Sequence, residues 1–159
     1  KKKRVHIREL ARITKIHPNT IIKITDELEK EGYIIKRNYK TLVEAEANLN
    51  SPKFMREKRL FNISQIYQSG LIDYLVSYYH NPKSIVLYGS YSRGEDYEKS
   101  DIDIAIFSKE KKTPELLSYE KILEKNIHLL IVDYTTISAE FYTNIINGVI
   151  LHGYLEIKK

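Results

Sequence analysis

The sequence predicts a mixed α/β protein in two parts: a short helical segment closed by a hairpin, then a longer segment in which strands alternate with helices. Three observations carry this. Apolar residues recur at helical spacing through residues 7–28 and give way to two short extended runs about a polar turn. From residue 84 onward, apolar runs of strand length alternate with stretches of helical pattern. The charge is also divided. Residues 1–60 hold 16 Lys and Arg against 8 Asp and Glu, whereas residues 61–159 hold 10 against 13, a balance of +8 followed by −3. A basic beginning joined to a mildly acidic remainder suggests two units with different partners.

Ile7, Leu10, Ala11 and Thr14 share one face of a first short helix. Lys15-Ile16-His17 makes a turn, and Pro18 stands where a first helical residue often stands. Ile21, Ile24 and Leu28 line a second helix that stops at Gly32. Tyr33 to Arg37 and Thr41 to Ala45 are expected strands about a turn at Asn38-Tyr39-Lys40. Ser51-Pro52 marks a boundary, after which helical spacing runs to about His80 with a break near Ser69-Gly70. Ser84 to Tyr88 is a buried strand ending at Gly89, and Asp101 to Phe107 alternates as a strand. A helix over 114–125, a strand over 127–132, a helix over 137–147 and a last strand near 149–151 complete the chain. The expected organisation is a first domain over 1–50, connecting helices over 51–80 and an α/β domain over 81–159.

Composition excludes several classes. The chain has 159 residues, 42% hydrophobic and 30% charged, enough apolar material for a core and too much for wholesale disorder. It has no cysteine, which excludes disulfides, thiolate metal sites and cysteine nucleophiles. Its longest apolar runs, such as Leu129 to Val132, are too short to span a bilayer. No signal-peptide pattern opens it, so the expected location is cytoplasmic with no membrane partner. It starts at Lys1 and not Met, consistent with a short missing N-terminal piece. His6, His17, His80 and His152 show no metal-ligand spacing, and Tyr78, Tyr79, Tyr88 and Tyr91 are read as packing residues.

Two short helices, a tight turn and a hairpin describe a winged helix-turn-helix. Its second helix would present Asn19, Thr20 and Lys23 to the DNA major groove. Lys36, Arg37 and Lys40 on the wing, with Arg8, Arg12 and Lys15, would neutralise phosphates. Asp26, Glu27, Glu29 and Glu31, further along the same helix, oppose that reading, and protein docking or dimerisation stays open beside it. Ile7-Arg8-Glu9-Leu10-Ala11, Pro18-Asn19-Thr20 and Leu28 to Tyr33 together resemble archaeal and bacterial winged-helix regulators.

The sharpest signal lies in the second part: Gly89-Ser90, ten residues, then Asp101-Ile102-Asp103. Gly89 lacks a Cβ and lets a polyphosphate approach the backbone. Ser90 offers a hydroxyl and an N–H at the start of a short helix. Asp101 and Asp103, two apart on a strand, project from one face. Two carboxylates near 4 Å repel by roughly 4 kcal/mol at an effective dielectric of 20, which calls for a cation between them. Mg²⁺, or Mn²⁺, suits such oxygen ligands.

Gly89 to Gly94 with Ser100 to Ile104 resembles the polymerase β-type nucleotidyltransferase superfamily, and within it the small prokaryotic minimal nucleotidyltransferase domains. The likeness runs over roughly residues 70–159, including the closing Asn147 to Gly153. It implies a small nucleotidyltransferase-fold domain with a mixed sheet. It also implies nucleotide contacts at Gly89 and Ser90, metal ligation and catalysis at Asp101 and Asp103, and a basic position at Arg93. Arg93 would either touch phosphate or pair with Glu95 or Asp96. The family's third carboxylate is not in register: the strand reads Ile127-His128-Leu129-Leu130-Ile131-Val132-Asp133, with His128 in the acid's place and Asp133 expected on the opposite face. His128 is the candidate replacement base. Two functions follow. One is Mg²⁺-dependent transfer of a nucleoside monophosphate from a nucleoside triphosphate to an acceptor hydroxyl. By analogy with antitoxin-like relatives, that hydroxyl could sit on a protein such as a partner toxin, held by the partner or by a second copy in a homodimer. The other is a DNA-binding transcriptional regulator whose nucleotidyltransferase-like domain is inactive and senses nucleotide or dimerises.

Overall fold

The computed structural model describes residues 4–39, 42–133 and 137–156. The chain divides into two compact units that meet between Glu57 and Lys58. The first unit holds β1 (Arg4–His6), α1 (Ile7–Thr14), α2 (Pro18–Lys30), β2 (Ile34–Tyr39) and β3 (Leu42–Ala47). Its three-stranded sheet has the order β1-β3-β2, both pairings antiparallel. A small core of Ile7, Ala11, Ile21 and Ala45 joins the two helices to the sheet. Pro18 opens α2, and His17 Nδ1 accepts a hydrogen bond from the Asn19 amide.

Two features of this unit depart from the sequence reading. β1 has no counterpart in it, because three residues, Arg4-Val5-His6, are too few to show alternation. Asn38 and Tyr39, expected in the turn, instead extend β2 and pair with Val43 and Leu42. Lys40, expected on the wing, lies outside the described residues.

The second unit is built on a four-stranded mixed sheet, order β6-β5-β4-β7, formed by β4 (Ser84–Tyr88), β5 (Ile102–Phe107), β6 (Ile127–Val132) and β7 (Val149–Gly153). β5 and β6 run parallel, whereas β4 is antiparallel to both β5 and β7. α3 (Pro52–Gln68) crosses the border between the units. It is followed by α4 (Leu71–Tyr78), α5 (Gly89–Arg93), α6 (Leu117–Leu123) and α7 (Ala139–Ile146). The helices read from the sequence as connectors over 51–80 enter the core: Ile66 of α3 and Leu71 and Leu75 of α4 are fully buried. α6 is shorter than the expected 114–125 and ends at Glu124, which adopts a left-handed conformation.

Period-2 alternation assigns the two faces of this sheet. Ile85, Leu87, Ile102, Ile104, Ile106 and Ile127 face Ile66, α4, Tyr91 and Leu123. Val86, Tyr88, Ala105, Phe107 and Val132 face Ile145, with Phe141 and Tyr142 of α7 packed alongside. Asp103 belongs to the second face, two residues before Ala105 and near the start of β5, where it remains partly open. No helix among the described residues is long and apolar enough to cross a membrane.

Candidate active site

Gly89 is the first residue after β4 and the start of the five-residue α5. Its φ of +72° lies in the left-handed region that disfavours any residue with a side chain. A Cβ built on it would collide with Oδ2 of Asp103. The backbone conformation favours glycine here, and a side chain would also push aside the Asp103 carboxylate that lies over it. Tyr88, immediately before it, is the β4 partner of Asp103. Burial, and then the Asp103 charge beside it, push the Tyr88 phenol above its ordinary value.

On its other side Asp103 pairs in register with His128 of β6. His128 Nδ1 stands 3.3 Å from Asp103 Oδ1, and the ring is otherwise open, with 65% of the side chain exposed against 27% for Asp103. Asp101 sits one residue before β5 and is exposed. The Asn126 side-chain amide donates to its Oδ1 at 3.3 Å. Among the described residues no Lys or Arg is ion-paired with Asp101 or Asp103, and no cluster of three or more metal-ligating side chains forms. Two hard carboxylates without a protein cation, one lying over a bare glycine, fit a divalent ion whose remaining ligands would be phosphate and water. The imidazole would contribute little to such an ion.

Ser90 is half-buried beside Gly89, and its carbonyl accepts the Glu95 amide. Arg93 Nε is 2.7 Å from Glu95 Oε2, so of the two arrangements left open by the sequence the ion pair is the one found. Asp96 instead turns inward and is buried at 8% exposure. Asp133 follows β6 at its far end, five residues or about 16 Å along the strand from His128. It lies by Tyr79, His80 and Lys109 at the opposite rim and does not join the site. A groove of about 330 Å³ opens beside Asp101, lined in part by Ser100, Leu117, Lys121 and Asn126.

The residues expected at a DNA surface are dispersed by comparison. Asn19, Thr20 and Lys23 are exposed on the first two turns of α2. Lys36 is ion-paired with Asp26, and Arg37 Nη2 is 3.0 Å from Glu46 Oε1. Sequence reasoning missed Asn126, and it missed Lys58, Asn62 and Lys125, which meet at Asp96. Their signal is three-dimensional, since Lys58 and Lys125 are distant in the chain from Asp96.

Comparison with known proteins bears on the second unit. A stretch of 42 residues is 48% identical to the "Putative protein adenylyltransferase MJ1379" of Methanocaldococcus jannaschii; it covers 26% of this chain and 42% of that one, less than half the relative's length. A solved Sulfolobus solfataricus protein described as "a putative nucleotidyltransferase" aligns over 69% of this chain and 99% of its own at 16% identity. The TM-score of 0.38 is too low to bear on fold or function. Residues 69–154, more than half of the chain and the whole Gly89–Asp103 corner, match the family "Polymerase beta, Nucleotidyltransferase", and the chain belongs to that family.

Proposed function

We propose that the second unit transfers a nucleoside monophosphate from a nucleoside triphosphate to an acceptor hydroxyl and releases pyrophosphate. Family membership implies the triphosphate. The observation that supports this corner as the reaction centre is the seating of the Asp103 carboxylate over Gly89, with Asp101 one residue before the strand that carries Asp103. Asp101 and Asp103 would hold Mg²⁺ or Mn²⁺. When bound, the ion supplies charge neutralisation for the phosphates. Gly89 and Ser90 would receive the triphosphate, the glycine by leaving its backbone bare and the serine through its hydroxyl and amide. The acceptor oxygen attacks the α-phosphorus, the bond to the bridging oxygen of pyrophosphate breaks, and the hydroxyl proton must leave. His128, on the Asp103 face and largely open, is the group we assign to take that proton. Arg93 would have to give up Glu95 to reach a phosphate. We favour a protein hydroxyl as the acceptor, since the M. jannaschii relative is named for that activity, and the groove beside Asp101 offers it a place.

The test uses the full chain with Mg²⁺ and ATP labelled at the α-phosphate, alone and with added candidate proteins, in parallel with Asp101→Ala. Label on a protein that vanishes in the variant supports the proposal. Absence of label on every acceptor, or transfer undiminished in Asp101→Ala, counts against it.

For the first unit we propose a winged helix-turn-helix that binds DNA. Support comes from its order of two helices and a hairpin, with Asn19, Thr20 and Lys23 open to solvent. Lys36 and Arg37 are already paired, which leaves phosphate contact mainly to Arg8, Arg12, Lys15 and Lys23. Duplex binding that weakens with salt and falls in Lys23→Ala is expected; salt-independent binding overturns it. A regulator whose second unit is inactive would show this binding and no transfer.

A further inference from the structure

Residues 94–100, between the Gly-Ser turn and the two aspartates, read as an ordinary polar loop, yet they carry a buried charge. The Asp96 carboxylate is 6% exposed, a costly placement unless it is compensated. Three side chains from distant parts of the second unit meet it. Lys58 Nζ lies 3.0 Å from Oδ1, Asn62 Nδ2 donates to Oδ1 at 2.7 Å, and Lys125 Nζ lies 3.5 Å from Oδ2.

Each of these partners also grips a second point. Asn62 Nδ2 donates to the Tyr91 carbonyl of α5 at 2.9 Å. Lys125 Nζ donates to the carbonyls of Tyr97, at 2.7 Å, and Ser100, at 3.3 Å. Lys58 donates to the Asp96 carbonyl. The loop closes on itself as well: the Ser100 amide donates to the Tyr97 carbonyl, and the Tyr97 amide donates to Ser100 Oγ. The next residue is Asp101.

We infer that Lys58, Asn62, Asp96 and Lys125 form a positioning clamp that fixes Asp101 relative to the Gly89–Ser90 turn, and so sets the spacing between metal ligands and phosphate seat. This rests on the reading of that corner as the nucleotidyl-transfer centre. An apolar plug could fill the same volume, but it could not bind the Tyr91, Tyr97 and Ser100 carbonyls that define where the turn ends and the aspartate strand begins. Asp96 is covered by its partners and does not reach the substrate side. It acts through Asp101.

The test compares the full chain with Lys125→Met and Lys125→Arg. Mn²⁺ with ATP is titrated by electron paramagnetic resonance, amide exchange is followed along residues 97–101, and melting is recorded without ligand. The clamp predicts that Lys125→Met folds with β4 and β7 amides still protected and that the 97–101 amides exchange about tenfold faster or more. It also predicts that Mn²⁺·ATP affinity falls about 10- to 100-fold, as for lost outer partners of a metal site, and that Lys125→Arg recovers most of it. Unchanged loop exchange, or unchanged Mn²⁺·ATP affinity with a loosened loop, overturns the inference. Should Lys125→Met fail to fold, Lys58→Met puts the same question from α3. If the wild-type chain binds no Mn²⁺·ATP, the nucleotidyl-transfer reading fails, and loop exchange alone decides whether the clamp exists.

Discussion

In the first sheet, Glu46 is 1% exposed at its side chain and lies between Arg4 and Arg37, each 3.0 Å away. In the second sheet, Asp101 and Asp103 meet, among the described residues, only an amide and an imidazole. A few residues away Asp96 is buried with two lysines upon it. The same side-chain chemistry is neutralised where it holds structure and left bare at the corner over Gly89. Asp101 and Asp103 have no Lys or Arg partner among the described residues, and that difference is what the proposed external cation would use.

This contrast can be broken by removing the bare acids. Asp103→Asn should cut transfer by about 10²–10³-fold, the cost of losing one aligned electrostatic group, while melting holds or rises because a repulsion is relieved. A rate that survives with label still transferred would dissolve the contrast. His128→Ala should cost on the order of 10²-fold in rate, with His128→Asp retaining most activity by returning a carboxylate to the third position. Equal losses in both variants would remove the proton-accepting role. Gly89→Ala should destabilise by about 1–2 kcal/mol from the left-handed backbone alone and should also displace Asp103, so that melting and rate fall together. A silent alanine there would show that the carboxylate does not need the bare backbone.

The pH profile sharpens the comparison between the units. Burial and Asp96 hold the Tyr91 phenol up to about 12, and burial with the neighbouring Tyr78 does the same for Tyr79. Both groups stay protonated in the fold after the unfolded chain has begun to lose its protons near 10. Their stabilisation is complete below that pH and is lost as pH rises from 10 toward 12, on the order of 2 kcal/mol each. In the first unit, hydrogen bonds from Arg4 and Arg37 hold Glu46 below the ordinary carboxylate value. That contribution is present above about pH 4.5 and is lost as pH falls. Amide exchange resolved along the chain should therefore show the core around Tyr79 and Tyr91 loosening in base and the sheet around Glu46 loosening in acid. The smallest effect expected is in Glu46→Gln, which should flatten the acid limb of the first unit alone.

Much of the second unit was legible because its signals are local. Ser84 to Tyr88, the Ile102-Ile104-Ile106 alternation and the Gly89-Ser90 to Asp103 spacing each lie within a few turns of chain, whereas His128 was singled out by the family's strand pattern and its pairing with Asp103 appears only in the fold. What escaped was set by distance in sequence or by shortness. Arg4-Val5-His6 becomes a strand only because β3 offers it an edge. The carboxylate that a side chain at 89 would displace lies fourteen residues later. Asp96 sits among Glu95, Tyr97 and Glu98, and nothing local distinguishes it from its solvated neighbours. Its burial depends on Lys58, Asn62 and Lys125, which only the folded chain brings together. Lys36 and Arg37 looked free for phosphate for the same reason, since Asp26 and Glu46 reach them across the unit.

The claim most exposed to a single measurement is that one divalent ion belongs between Asp101 and Asp103 beneath a triphosphate seated at Gly89–Ser90. Crystals of the full chain soaked with Mn²⁺ and a non-hydrolysable ATP analogue, measured at a wavelength where manganese scatters anomalously, would address it. The account predicts an anomalous peak bridged by both carboxylates, with phosphate oxygens completing its shell. A triphosphate bound elsewhere, or an anomalous peak that avoids both aspartates, would contradict it.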